Sequence, residues 1–114
     1  MLVGYSLSPG QPAGLRLVWK ALAPMAADYT VFVHVLDQSG QIAAQADAQP
    51  RGGTYPTSMW EPGEYVVDDY SFDLPPGEYN LHVGMYLAET GARLPVDGAG
   101  EAQGVILLPV WRVP

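Results

Sequence analysis

The chain has 114 residues, 13 of them Gly and 11 Pro, with 48% hydrophobic residues and no cysteine. That suits one domain with a real core, is too short for a catalytic domain plus a separate binding domain, and excludes thiol catalysis, disulfides and thiolate metal sites. The net charge of −7 arises from 12 acids against five scattered bases, Arg16, Lys20, Arg51, Arg93 and Arg112, which argues against nucleic acid and anionic membrane surfaces as partners.

Residues 2–7 read as a first strand. Leu15, Leu17 and Trp19 then alternate with Arg16, Val18 and Lys20, the pattern of a half-buried strand with its charged face outward. Residues 28–37 are dense in β-branched and aromatic side chains and close at Asp37-Gln38-Ser39-Gly40, a hairpin turn. Residues 41–49 form an alanine-rich return strand. Residues 50–60 read as a long loop, because Arg51-Gly52-Gly53-Thr54-Tyr55-Pro56-Thr57-Ser58 combines flexible, turn-forming and polar residues. Strands follow at 65–74 and 79–88, then a turn at 89–92, a short strand at 93–96, a loop at 97–104 and a closing strand at 105–113.

Two of these strands are entered through a near-repeat, Glu61-Pro62-Gly63-Glu64-Tyr65 and Pro75-Pro76-Gly77-Glu78-Tyr79. A Pro-Gly corner feeding a Tyr-led strand is how β-sandwiches cross between sheets, with the tyrosine hydroxyl bonding back to the corner backbone. No helix is predicted, and no apolar run approaches the ~20 residues of a spanning helix. Seven or eight short strands at this spacing predict an all-β fold, an immunoglobulin/fibronectin III-like antiparallel β-sandwich. Residues 1–114 read as one domain whose ends lie almost on strands, as in a domain cut from a longer protein, although a short complete protein reads the same.

Several runs together carry a resemblance. They are Leu17-Val18-Trp19-Lys20-Ala21-Leu22, Asp28 through Asp37, Tyr55-Pro56-Thr57 with Trp60-Glu61-Pro62-Gly63-Glu64, Pro76-Gly77-Glu78-Tyr79 with Val83-Gly84-Met85-Tyr86, and Thr90 through Val96. As a set they resemble a β-sandwich domain at the C-terminal end of bacterial membrane proteins that are themselves similar to protein-mannosyltransferase-type glycosyltransferases. The resemblance implies an accessory domain on the extracytoplasmic side, beside an enzyme whose catalytic residues lie in its membrane portion. None of that machinery is in this chain, and a start at Met1 without a preceding membrane segment departs from the pattern.

Two candidate sites follow from the residues. On the 79–88 strand, Tyr79, Leu81, Val83, Met85 and Leu87 form the apolar face, so His82, Gly84 and Tyr86 point away from the core. If Val31, Val33 and Val35 are likewise inward, a choice that alternation leaves open because both faces of residues 30–36 are apolar, then Phe32, His34 and Leu36 share that outer face with the strands as neighbours. Phe32, His34, His82 and Tyr86 would then form an open surface suited to docking a partner or stacking a sugar. Its plainer reading is two unrelated strand histidines, and no third ligand at metal spacing accompanies them.

The second candidate is the 50–60 loop. Trp60 and Tyr55 offer flat rings for a sugar face, and Arg51 and Thr54 offer polar groups for its hydroxyls. A tryptophan just before a Pro-Gly corner also serves as a plug at the end of a sandwich. Trp19 and Trp111 are read as core.

Asp68 and Asp69 alternate between faces, so they cannot chelate calcium together and read as a solvated acidic face. A glycosidase-type carboxylate pair among Glu61, Glu64, Asp68 and Asp69 depends on geometry. No nucleophile elbow, phosphate-binding loop or cofactor motif is present. The expected function is therefore a non-catalytic accessory domain, either carbohydrate-binding or a structural module docking onto its parent or a like copy, with no direct membrane insertion of its own.

Overall fold

The computed structural model describes residues 1–8, 12–94, 101–102 and 105–113, and places nine strands among them. They are β1 (Leu2–Ser8), β2 (Ala13–Lys20), β3 (Thr30–Leu36), β4 (Ile42–Ala48), β5 (Tyr65–Phe72), β6 (Gly77–Tyr86), β7 (Arg93–Leu94), β8 (Glu101–Ala102) and β9 (Val105–Val113). All pairings are antiparallel. One sheet has the order β1-β2-β5, the other β4-β3-β6-β9-β8, with β7 added to β6. The predicted antiparallel β-sandwich is the fold. The strand count exceeds the predicted seven or eight because Glu101–Ala102, expected in a loop, pairs with β9. The rest of the predicted 97–104 loop, and the end of the predicted 93–96 strand, lie outside the described residues.

Alternation supplies the core. β2 turns Ala13, Leu15, Leu17 and Trp19 inward, and β3 and β6 oppose them with Val31, Val33, Val35, Leu81, Val83 and Met85. Burying an apolar side chain of this size stabilises by roughly 1.5–3 kcal/mol, so a slip of one residue in β2, which would expose four of them, is strongly disfavoured. Trp19 and Trp111 are core residues as predicted. Their indole N–H groups find no acceptor among the described residues, which costs ~1–3 kcal/mol each. The 150–250 Å² that each ring buries at ~25 cal/mol per Å² outweighs that cost.

In β9, the inward residues Leu108 and Trp111 are three apart, and the register against β6 shifts between Tyr79 and Leu81. The shift lies opposite Pro109, and a bulge is where a proline is tolerated inside a sheet. At the β3–β4 hairpin, Asp37 Oδ1 accepts from the Ser39 hydroxyl at 2.6 Å, the Ser39 N–H at 2.9 Å and the Gln41 N–H at 3.0 Å. These bonds, the Ser39 hydroxyl foremost, hold the Asp37 carboxyl below its ordinary range.

The two Pro-Gly corners differ. Tyr79 is buried opposite Trp111, and its hydroxyl donates to the Pro75 carbonyl at 2.6 Å. Tyr65 instead lies 61% exposed opposite Lys20, whose Nζ sits 5.3 Å from its ring centroid. In that strand Val66, facing Trp19, is the residue that enters the core. Tyr79→Phe is expected to cost about 1 kcal/mol, or roughly 5 °C in Tm. Tyr65→Phe should stay within about 0.5 kcal/mol of the parent chain. Thermal unfolding of the two variants side by side checks the assignment, and equal losses would refute it.

Candidate functional site

The 50–60 loop begins with a tight turn, Pro50–Gly53, in which Arg51 (φ 57°), Gly52 (φ 66°) and Gly53 (φ 86°) are all left-handed. For arginine that conformation costs ~1–2 kcal/mol. A buried carboxylate holds it: the Arg51 backbone N–H donates to Asp68 Oδ1 at 2.8 Å, and the Tyr70 hydroxyl donates to Asp68 Oδ2 at 2.5 Å. Asp68 is only 2% exposed, which corrects its assignment to a solvated acidic face. On β5 the inward set is Val66, Asp68, Tyr70 and Phe72, facing Trp19, Leu17, Leu15 and Ala13. Asp69 alone faces outward, where Arg16 binds it through two bonds of 2.8 and 3.1 Å. Burial pushes the Asp68 carboxyl above its ordinary range, while the Tyr70 and Arg51 bonds pull part of the way back.

The loop ends in Trp60, which is 4% exposed and packs in the core cluster. Its indole N–H donates to the Tyr55 carbonyl at 3.0 Å, and the two rings stack at 6.5 Å. The Tyr55 hydroxyl donates to the Glu64 carboxylate at 2.7 Å, and Glu64 Oε1 also accepts the Glu61 N–H at 3.0 Å. The Glu61 N–H first and the Tyr55 hydroxyl second hold Glu64 below the usual carboxylate range. The Thr54 hydroxyl donates to the Arg51 carbonyl at 2.7 Å. Trp60 is therefore a plug whose ring faces the core, not a stacking platform. Arg51 and Thr54 remain exposed and Tyr55 half-buried.

The outer face of the larger sheet does gather the four residues expected there. His34 stands directly opposite His82, Phe32 opposite Gly84, and Thr30 opposite Tyr86. Phe32, however, is 3% exposed. The His34 ring lies 5.2 Å from it, the Tyr86 ring 6.2 Å, and the Arg93 guanidinium 5.2 Å over its face. Gly84 across from it, with no side chain of its own, leaves room for the ring. As a direct docking contact Phe32 is corrected: it is a covered anchor, and the surface above it is His34, His82, Tyr86 and Arg93. Tyr86 donates to Asp47 Oδ2 at 2.8 Å. Burial first, then the neighbouring His34, holds His82 below the ordinary imidazole range.

A third feature escaped the sequence reading. In the 21–29 connection from β2 to β3, the run Ala21-Leu22-Ala23-Pro24-Met25-Ala26-Ala27 carries no polar side chain before Asp28, where connecting loops are normally polar. Met25, Tyr29 and Leu94 pack against the core, while Leu22 projects with 57% of its surface exposed. Together with Lys20 and Pro24 they line a cleft of about 360 Å³ at this end of the sandwich. The 57–59 turn is tied to the same loop. The Thr57 hydroxyl donates to the Ala27 carbonyl at 2.8 Å and accepts the Tyr29 N–H at 3.0 Å, and the Ser58 N–H donates to Asp28 at 3.0 Å. Met59, at the end of that turn, is 58% exposed. The uninterrupted apolar run from Ala21 to Ala27, ahead of Asp28, was the signal available in the sequence. Comparison of the chain with protein-family models, with curated proteins and with solved structures finds no match to any of them.

Proposed function

We propose that this chain is a non-catalytic accessory domain of a longer, glycosyltransferase-like bacterial membrane protein, held on its extracytoplasmic side. It works by packing its apolar end against the rest of that protein. The observation that carries this is the projecting Leu22 on the apolar 21–27 run that lines the cleft, with the exposed Met59 on the turn bonded to that loop. Two of the eight large apolar side chains exposed among the described residues, Leu22 and Met59, lie on this loop and on the turn bonded to it, and on a chain of net charge −7 such surface fits contact with another protein surface.

Support for the non-catalytic part comes from where the chemistry-bearing side chains lie. Asp68 and Asp69 face opposite sides of β5, and Glu64 is engaged by Tyr55 and the Glu61 N–H. Ser6, Ser8 and Ser71 line a groove on the outer face of the smaller sheet, while both histidines lie on the other sheet. Carbohydrate contact retains Arg51 and Thr54 as exposed polar groups, but Trp60 has left it without its ring.

Deuterium exchange of the isolated chain, compared with the same residues in the parent protein in detergent, tests the reading. Amides of 22–27 and 57–59 should exchange about tenfold or more slowly in the parent. Equal exchange there in both would overturn it.

A further inference from the structure

We propose that His34 and His82 form a two-nitrogen chelate on the outer face of the larger sheet that binds a divalent transition metal, copper(II) before nickel(II) or zinc(II). It is independent of the apolar end.

The register carries it. His34 and His82 are directly opposed in the antiparallel β3–β6 pair, and such positions hold their Cβ atoms about 4.5–5.5 Å apart on the same face. That lies within the span that one ion with metal–nitrogen bonds of ~2.0–2.1 Å closes between two imidazoles. Both side chains are partly exposed, and neither forms a hydrogen bond to any described residue. The floor beneath them is rigid: β3 and β6 are interior strands of the sheet, and Phe32 packs against the His34 ring at 5.2 Å. A chelate on central strands needs little reorganisation to close, unlike one on a loop.

The surroundings decide the class of ion. Across β4, the residue opposite His34 is Gln45, and Asp47, one step further along the face, is occupied by the Tyr86 hydroxyl. Among the described residues no group of three histidines or carboxylates assembles for a metal. Among the described residues the site therefore offers two imidazoles, with Asp47, the carboxylate on this face of β4, bonded to the Tyr86 hydroxyl, a donor set that suits copper, nickel and zinc better than calcium or magnesium. Between those three, the order of intrinsic affinities puts copper(II) first. Water or a partner's side chain would complete the coordination.

The test is a titration of the labelled chain with copper(II), nickel(II), zinc(II) and calcium, followed by two-dimensional NMR and calorimetry at neutral pH. One ion per chain is expected, with paramagnetic broadening centred on residues 33–35 and 81–83. His34→Gln and His82→Gln should each weaken binding at least tenfold, or about 1.4 kcal/mol. Both side chains are partly exposed and on the outer face of the sheet, so thermal unfolding should show each variant folded. Broadening centred on the amino terminus, affinity unchanged in either variant, or an equal response to calcium would each overturn the proposal.

Discussion

Trp60→Ala is expected to destabilise the domain by about 3–5 kcal/mol, the range for truncating a buried aromatic. The ring is 4% exposed within the core cluster, and the truncation also removes the indole bond to the Tyr55 carbonyl. Against a total stability of ~5–15 kcal/mol for a single domain, that is a large share, and Tm should fall by roughly 15 °C or more. Chemical denaturation and thermal unfolding of the variant measure it directly. The outcome also separates the two roles considered for this residue. A platform for saccharides would be lost with little change in stability, and its indole N–H signal would move as oligosaccharide is added. A plug destabilises on truncation, and its indole signal, bonded internally, stays where it is. Unchanged unfolding together with lost saccharide binding would return Trp60 to the surface role.

Asp68→Ala should cost about 2–3 kcal/mol, because it strips the acceptor from the Arg51 N–H and the Tyr70 hydroxyl in a dry environment. The 50–53 turn would lose the contact that holds Arg51 left-handed, so exchange at its amides should rise before the rest of the sheet responds. Asp68→Asn is the informative companion. Its carbonyl oxygen still accepts from Arg51, and it carries no charge to desolvate. In the fold the Asp68 carboxyl titrates above its unfolded value. The folded state therefore binds the proton more tightly, and this group adds stability as pH falls through its raised folded pKa towards the unfolded one. Above that window the buried charge subtracts. Asp68→Asn should lie within about 1 kcal/mol of the parent chain at neutral pH and lack that rise on acidification. A parent chain and Asn variant with identical pH profiles between neutrality and pH 4 would mean that Asp68 is solvated after all.

Part of the larger sheet was legible from alternation: Leu81, Val83 and Met85 mark the buried side of β6, so His82 was placed outward. The 30–36 strand was not, because Phe32 and Leu36 make its second face apolar as well, and only its packing in the sandwich turned Val31, Val33 and Val35 inward and set His34 beside His82. β5 offered no such imbalance. Val66, Asp68, Tyr70 and Phe72 on one side and Tyr65, Val67, Asp69 and Ser71 on the other each mix apolar and polar residues. Composition alone cannot say that a carboxylate goes inward when its partner, the Arg51 N–H, is 17 residues away. The apolar end was overlooked for a related reason: in a linker without periodicity, only three-dimensional packing separates Met25, which turns towards the core, from Leu22, which does not.

By itself the amino-acid sequence determined the all-β class, the positions of all the described strands except β8 to within a few residues, and the faces of strands with a single apolar side such as β2 and β6, because side chains alternate with a period of two wherever the backbone is extended. Tertiary structure decided the rest. Two corners with nearly the same motif diverged because Tyr79 came into register opposite Trp111 whereas Tyr65 came opposite Lys20. Trp60 became a plug, Phe32 a covered anchor and Asp68 a buried one. In each case the deciding partner lay far along the chain or on another strand, and a local pattern holds no record of such partners.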